Sequence, residues 1–261
     1  MIDKVSIPTF LINYTPYNER KLNALNVLNR SGISSVKVVG CWDKENISPL
    51  ILNNINIWVD RVTLISDILY FNALDSKDRD KFLPNDFSQF RRDIYNNCLW
   101  MHHRQLSRGE VSVCLKHFYA ISSVACGDGP FGLVVEDDIG HLDTSNAELK
   151  TILNECYRFN IDFADIVGGC MLEPTRHEMQ NKHISTNLCK INPSRTRTLA
   201  GYILSKNFAI DIVNSFFPLV MPIDWHIQYI MSESTNINAY WATRPVFTHG
   251  SEIGLFDSWR K

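Results

Sequence analysis

An apolar run that passes directly into three acidic residues constrains this chain more than any other stretch. Residues 131–135 are apolar or small, residues 136–138 read Glu-Asp-Asp, and a Gly-Pro pair precedes the run. The apolar part predicts a strand that is buried on both faces, because a strand with one solvated face would alternate apolar and polar side chains. The acids then stand at the carboxyl end of a strand, where ligands bind in open α/β sheets.

Neighbouring carboxylates repel one another, which raises their pKa values and weakens the fold unless a cation offsets the repulsion. A bound Mg²⁺ or Mn²⁺ would provide that offset, since both cations prefer hard oxygen ligands. A solvated acidic turn that caps a helix is the alternative interpretation. The abrupt junction with a buried strand favours a metal site.

The order of the other elements indicates an α/β fold with a mixed, mostly parallel sheet flanked by helices. A β-α-β unit opens the chain, with strands predicted at residues 7–13 and 36–39 and a helix at 19–29 that Asn18 caps. Such a unit favours parallel strands joined by a right-handed crossover. Further strands are predicted at 163–168, 198–204 and 240–242, further helices at 144–159, 205–217 and 225–231, and a polar loop at 170–197.

A capping box, Ser107-x-x-Glu110, begins a helix predicted over residues 109–125. Glu110 and His117 are seven residues apart and therefore share one face of that helix, two turns apart. Both are candidates for a binding site. The alternatives are that Glu110 serves only as the cap and that His117 is a hydrogen-bonded packing residue.

Composition excludes several classes of protein. The length of 261 residues suits one domain, and the net charge of −2 gives no basic field for nucleic acid. No apolar run approaches the roughly 18 residues that span a bilayer. Residues 2–12 do not resemble a secretory signal, because charged residues interrupt their apolar sequence. The seven cysteines are odd in number and form no Cys-x-x-Cys pair, which predicts reduced thiols, a cytoplasmic location and no zinc cluster. Residues 41–105 form a variable insertion, a lid or an acceptor-side element.

Acids at strand ends serve several functions. A receiver domain carries them on its first strand, whereas here half the chain precedes them, and a magnesium-dependent phosphatase prefers an Asp-x-Asp pair on its first strand, which this chain lacks there. A sugar-nucleotide transferase fits better, because it needs a cation for a diphosphate leaving group, a carboxylate base and a nucleotide pocket.

Four ordered blocks resemble glycosyltransferase family 25, the lipooligosaccharide-biosynthesis and procollagen galactosyltransferase family. They are IPTFLIN at 7–13 followed by Glu19-Arg20, RGEVSVCLKH at 108–117, LVVEDDI at 133–139, and TLAGYILS at 198–205 followed by PIDW at 222–225. Two positions depart from the family pattern, with Ser112 in place of glycine and Lys116 in place of serine. The resemblance implies a GT-A type fold, Mn²⁺ or Mg²⁺, a UDP-galactose or UDP-glucose donor, and inversion at the anomeric carbon.

The resemblance also assigns roles to individual residues. Asp138 is expected to bind the metal and Glu136 to contact the nucleotide ribose or to order the loop, while His249 is expected to supply a late metal contact by analogy with other GT-A enzymes. The nucleotide pocket is expected to include Asn13, Arg20, Glu110, His117 and Asp137. Arg20 could equally be a surface charge on its helix, and Asp137 a purely structural residue.

Asp224 is the expected general base, since it follows Pro222, opens a helix and adjoins Trp225, which offers a stacking face for a sugar ring. Helix N-capping is the alternative role for Asp224. The predicted function is therefore transfer of a hexose to a hydroxyl of a glycan or glycoconjugate, as in lipopolysaccharide biosynthesis. A nucleotide-sugar-binding module without turnover and a metal-dependent phosphohydrolase remain open. Peripheral contact with the inner face of a membrane remains open as well.

Overall fold

The computed structural model describes residues 5–55, 106–169, 172–174, 176–180, 187–192, 194–219, 221–234 and 237–256. These residues form a mixed α/β structure around a seven-stranded sheet, as the sequence predicts. Most of the expected insertion, residues 56–105, lies outside the described residues, and so does part of the expected loop at 170–197.

The predicted β-α-β unit is confirmed. Strand β1 spans Thr9–Ile12, helix α1 spans Asn18–Arg30 and strand β2 spans Val36–Val39, and β1 and β2 pair in parallel. The predicted cap is wrong, because Tyr17 holds the N-cap position, no side chain caps the helix, and Asn18 is already helical.

The capping box at Ser107 and Glu110 is confirmed at the start of helix α3. A short 3-10 helix at Lys44–Asn46 and helix α2 at Pro49–Ile55 precede it. Helix α3 spans Arg108–Cys126, with the Ser107 hydroxyl accepting from the Glu110 amide and the Glu110 carboxylate accepting from the Ser107 amide. Strand β3 at Phe131–Glu136, the short strand β4 at Ile139–Gly140 and helix α4 at Ser145–Phe159 follow.

The remaining strands and helices follow in chain order. They are β5 (Phe163–Asp165), α5 (Arg176–Gln180), β6 (Leu188–Lys190), β7 (Gly201–Ser205), α6 (Lys206–Ser215), α7 (Ile223–Glu233), β8 (Ala239–Ala242) and β9 (Thr248–His249). Strands β5 and β7 are shorter than predicted, since Gly168 and Leu199 adopt positive φ values of 87° and 55° that an extended chain does not have. Helix α5 and strand β6 interrupt the predicted loop at 170–197.

The strands of the large sheet lie in the order β2-β1-β3-β7-β5-β8-β6. Strands β1, β2, β3, β5 and β8 run in one direction, and β7 and β6 run antiparallel to their neighbours. Strands β4 and β9 form a separate two-stranded ribbon. The sheet is therefore mixed, and the carboxyl ends of five strands share one edge.

Helices cover both faces of the sheet. Helices α3, α6 and α7 pack on one face, where alternate residues of β1, such as Phe10 and Ile12, join their apolar side chains. Helices α1 and α4 pack on the other face together with Leu11. Because both faces are buried, the central strands are apolar throughout, as the run at residues 131–135 predicts.

Strand β1 lies between β2 and β3, so the chain moves to one side of β1 through α1 and to the other side through α3. These two helices lie on opposite faces of the sheet. A crevice opens at such a reversal, outside the carboxyl ends of the strands, and ligands of open α/β sheets bind there. The segments that follow β1 and β3 meet at this point.

Candidate functional site

Asp137, in the segment that follows β3, is held by three donors at this crevice. The Asn13 amide donates to its Oδ2 at 2.8 Å, the backbone N–H of Tyr14 donates to the same oxygen at 3.0 Å, and the Arg20 guanidinium lies 2.6 Å from Oδ1. Burial nevertheless raises the pKa of Asp137 to about 6, because desolvation outweighs Arg20 and these hydrogen bonds. Asp137 therefore joins β1, α1 and β3, which favours the structural alternative for this residue.

Asp138 has one carboxylate oxygen engaged and the other without a partner. Its Oδ2 accepts a hydrogen bond from the Ser251 hydroxyl and lies 3.3 Å from His249 Nε2 and 3.4 Å from the Arg20 guanidinium. Its Oδ1 is buried and has no hydrogen-bond partner among the described residues. An unsatisfied buried oxygen costs free energy, so it marks a position where a ligand would be stabilised.

The charges around Asp138 favour its ionised form. Burial alone would raise its pKa, but the hydrogen bonds from His249 and Ser251, together with the charges of His249 and Arg20, lower the pKa of Asp138 below its ordinary value. In the opposite direction, burial would lower the pKa of His249, but its hydrogen bond to Asp138 and the nearby carboxylates raise it. Asp138 is thus an anionic oxygen donor at neutral pH.

The β4–β9 ribbon brings His249 to the acidic residues. Ile139 pairs with His249 in the ribbon, and the Gly250 amide donates to the Asp138 carbonyl at 2.6 Å. A Cβ on Gly250 would lie 2.5 Å from that carbonyl oxygen, so only glycine fits there. His249 thus lies beside Asp138, and its metal contact stays a prediction, whereas the contact of Ser251 could not be predicted because a serine in a turn carries no distinctive pattern.

Arg20 is not a surface charge. It is 5% exposed, lies between Asp137 and Asp138, and has the rings of Tyr17 and Phe256 each 5.4 Å from its guanidinium carbon. It partly neutralises the two carboxylates and so reduces the repulsion between them. The surface-charge alternative for Arg20 is therefore wrong, and its contact with a nucleotide stays a prediction.

Glu136 and His117 meet at the end of β3. His117 Nε2 lies 3.3 Å from Glu136 Oε1, and His117 Nδ1 lies 2.9 Å from the Tyr202 hydroxyl. The His117 side chain is completely buried, whereas 14% of the Glu136 side chain is exposed. Glu136 therefore faces the crevice, and His117 reaches the crevice only through Glu136.

Glu110 and Asp224 stand on other elements. Glu110 is half-buried and performs the capping role described above, about 10 Å along the helix axis from His117. Asp224 is half-buried in the first turn of α7, and its backbone carbonyl accepts a hydrogen bond from the Thr196 hydroxyl at 2.9 Å. The N-cap of α7 is Pro222, so the capping alternative for Asp224 is wrong.

The two departures from the family pattern anchor the loop after β2. Lys116 is completely buried, donates to the Asn13 carbonyl at 2.7 Å, and lies 2.5 Å from Asp43 Oδ1. The Ser112 hydroxyl donates to the Trp42 carbonyl at 2.5 Å. These residues hold the segment that follows β2 against the one that follows β1.

The donor set fits a divalent cation that takes most of its ligands from outside the protein. Within the described part of the chain, no group of three or more His, Cys, Asp or Glu side chains could hold a metal ion. Mg²⁺ commonly binds through one or two carboxylates, several waters and substrate phosphates. The partnerless oxygen of Asp138 and the adjacent His249 ring provide such a partial site.

No model of a known protein family matches the chain, and no curated protein matches it significantly. Among the helices that the structure describes, none is long and apolar enough to cross a membrane.

Proposed function

We propose that this chain is an inverting, metal-dependent glycosyltransferase with a GT-A type fold. It moves a hexose, galactose or glucose, from a UDP-sugar to a hydroxyl group of a glycan or glycoconjugate. The observation that carries the proposal is the buried, partnerless Oδ1 of Asp138, which lies beside His249 at the crevice between β1 and β3. The four blocks of family resemblance, in their order along the chain, are its second support.

Asp138 and His249 would hold Mn²⁺ or Mg²⁺. A divalent cation bound there would neutralise charge on the diphosphate that leaves the sugar. Arg20 offsets the charge of Asp137 and Asp138, and Asn13 fixes the position of Asp137. These contacts pre-form the acidic edge before any ligand arrives, which reduces the reorganisation needed on binding.

Glu136 contacts the ribose of the nucleotide in this proposal, since a carboxylate accepts hydrogen bonds from ribose hydroxyls in many nucleotide sites. Asp224 is the base. It accepts the proton of the acceptor hydroxyl while that oxygen bonds to the anomeric carbon and the bond to the diphosphate oxygen breaks on the opposite face. A single in-line displacement of this kind inverts the anomeric configuration.

The acceptor class follows from the same resemblance, and the cytoplasmic location follows from the cysteine pattern. We propose a glycan or lipid-linked glycoconjugate acceptor, a cytoplasmic location and peripheral contact with the inner membrane face. The alternative function is a module of the same fold that binds a nucleotide sugar without turnover.

Thermal unfolding with a panel of nucleotide sugars, with and without Mn²⁺, tests the proposal. A ligand that binds only the folded state raises the midpoint of unfolding, and at 100 times its dissociation constant it adds about 2.7 kcal/mol. We expect UDP-galactose or UDP-glucose to raise the midpoint only with Mn²⁺, and we expect slow release of UDP. A shift without hydrolysis or transfer would favour the binding module. Release of phosphate from simple esters, with no response to UDP compounds, would contradict both.

A further inference from the structure

Three polar side chains form a hydrogen-bonded chain from the core of the molecule to the crevice. Tyr202 on β7 contacts His117 on α3 at 2.9 Å, and His117 contacts Glu136 on β3 at 3.3 Å. Tyr202 and His117 are both completely buried, and only Glu136 retains some exposure. Three separate elements therefore contribute to one polar chain that ends at the candidate site.

Packing fixes the orientation of the two buried rings. The Tyr202 ring lies 5.8 Å from the His117 ring and 5.4 Å from the Phe163 ring, and both pairs are nearly parallel. A phenol and an imidazole cost free energy in an apolar core unless their polar atoms are hydrogen-bonded. Here the Tyr202 hydroxyl and both ring nitrogens of His117 have partners, so the arrangement satisfies three otherwise costly groups.

The chemistry of the partners gives the chain a direction. An ionised carboxylate only accepts hydrogen bonds, so Nε2 of a neutral His117 carries the hydrogen that points to Glu136. Nδ1 is then an acceptor, and the Tyr202 hydroxyl donates to it. Burial and the charge of Glu136 raise the pKa of Tyr202 well above its ordinary value, which keeps this hydroxyl protonated.

We infer that Tyr202 and His117 are positioning residues that hold the Glu136 carboxylate at the crevice for the hydroxyl groups of a nucleotide ribose. This inference rests on the proposed function for the identity of the ligand, but not for the hydrogen-bonded chain itself. His117 then contributes to nucleotide binding without touching the nucleotide. Tyr202, which appears in the sequence only as one position of a resembling block, becomes part of the site.

Binding of UDP in the presence of Mn²⁺, measured by calorimetry, tests the positioning role. Tyr202→Phe removes only the hydroxyl, and the ring stays stacked between His117 and Phe163. We expect Tyr202→Phe to weaken UDP binding about tenfold, because removal of a group that orients a binding residue typically has an effect of that size. Tyr240→Phe is the matched control, since Tyr240 is a buried tyrosine on strand β8, and it should bind UDP within about twofold of the parent chain.

A double-mutant cycle separates positioning from a general loss of stability. If Tyr202 acts only through Glu136, the double variant Tyr202→Phe/Glu136→Gln should bind UDP no more weakly than Glu136→Gln alone. Additive losses would overturn the inference, and so would parent-like binding by Tyr202→Phe.

Nitrogen NMR of the His117 ring provides a readout that does not depend on the ligand. We expect the Nε2–H tautomer in both chains, because the Glu136 carboxylate accepts from Nε2 in both, and a shifted Nδ1 resonance in Tyr202→Phe, because Nδ1 has then lost its donor. A parent ring in the Nδ1–H tautomer would overturn the inference. If the parent chain bound no UDP compound at all, the proposed function would fail, and the ring spectrum would still decide whether Tyr202 and His117 align Glu136.

Discussion

Two buried arginine–aspartate pairs lie at carboxyl ends of parallel strands in the same sheet, and they differ in how completely the carboxylate is satisfied. Arg197 lies 2.7 Å from Oδ1 of Asp165, the last residue of β5, and Arg20 lies 3.4 Å from Oδ2 of Asp138, just beyond β3. Both aspartates are nearly inaccessible to solvent. An arginine and a buried aspartate therefore meet at two places along this edge of the sheet, one near the end of β3 (the Asp138 half) and one at the end of β5 (the Asp165 half).

Both carboxylate oxygens of Asp165 accept hydrogen bonds from nearby groups. Its Oδ1 accepts from the Gly168 amide at 3.0 Å and from the Arg197 side chain, and its Oδ2 accepts from the Arg197 amide at 3.3 Å. Asp138 has several partners on Oδ2 and none on Oδ1 among the described residues. A fully bonded carboxylate stabilises the fold, whereas a half-bonded one retains capacity for a ligand. The comparison therefore favours a structural role for Asp165 and, in the proposed function, a binding role for Asp138.

The largest expected effect is on turnover in Asp138→Asn. The substitution keeps the shape of the side chain but removes the anionic oxygen, so we expect metal-dependent transfer to fall by about a thousandfold, comparable to loss of one key transition-state contact. Folding should lose some stability, because the folded protein favours the ionised form of Asp138, but less than turnover does, since Arg20 keeps Asp137 as its counterion. Transfer assays with Mn²⁺ and urea unfolding measure the two quantities.

Asp143→Asn is the matched control for this substitution, since Asp143 is an exposed aspartate five residues farther along. It should keep both turnover and stability. Persistence of turnover in Asp138→Asn would remove the metal role from Asp138. A large loss of stability with normal turnover per folded molecule would make Asp138 a structural residue like Asp165.

The reverse result is expected for Asp165→Asn. Loss of the carboxylate charge leaves the buried Arg197 guanidinium without its counterion, and breaking a buried pair in this way typically costs about 3–5 kcal/mol. The free energy of urea unfolding should fall by that amount relative to Asp211→Asn, an exposed substitution on α6. The variant should retain normal affinity for UDP in the fraction that folds. A loss of UDP affinity without a loss of stability would place Asp165 in the binding site.

The framework of the sheet could be predicted because its signals are local. The apolar run at residues 131–135 and the capping box at Ser107 and Glu110 each dictate their own conformation, and both predictions are confirmed. Strand β6 could not be predicted, since its three residues acquire strand geometry from pairing with the distant strand β8. The same limit applies to the ribbon of β4 and β9, whose strands have two residues each.

The sequence indicated which acidic residues follow β3, but not how the contacts of these residues differ. Three adjacent acids suggest similar roles, yet Asp137 is bonded to Asn13, Tyr14 and Arg20, while Asp138 keeps an oxygen without a partner. That difference depends on side chains more than a hundred residues apart, which no local pattern reports. The positioning roles of Lys116 and Tyr202 depend on tertiary contacts in the same way.

A smaller effect on catalysis is expected from Asp224, which lies nearer to the Asp165 half of the edge. Thr196 connects the two, since its hydroxyl donates to the Asp224 carbonyl and the next residue is Arg197. If Asp224 is the base, Asp224→Asn should lower the rate of transfer by about a hundredfold, with UDP affinity unchanged. Asp211→Asn again provides the control. Normal transfer by Asp224→Asn would limit the active site to the Asp138 half of the sheet edge.

The smallest effect tests whether every partnerless buried atom marks a site. His226 on α7 is 2% exposed, donates from Nε2 to the Phe216 carbonyl at 2.7 Å, and leaves Nδ1 without a partner among the described residues. Unlike Asp138, it packs edge-on against the Phe216 ring within the apolar core. Burial lowers the pKa of His226, although the bond to Phe216 opposes that shift.

The sign of the resulting pH dependence follows from where the proton binds. Below the ordinary histidine pKa of about 6.5 the unfolded chain takes up a proton at residue 226 more readily than the folded chain, so folding stability falls as the pH drops from 7.5 to 5.5. His226→Gln can still donate to Phe216 but cannot be protonated, so we expect it to remove up to about 1 kcal/mol of that loss. Urea unfolding at the two pH values measures the difference. If the parent and variant lost stability equally, His226 would have the same pKa in the folded and unfolded chains. Its partnerless nitrogen would then be accessible to a ligand, like the partnerless oxygen of Asp138, and would not be a buried core atom.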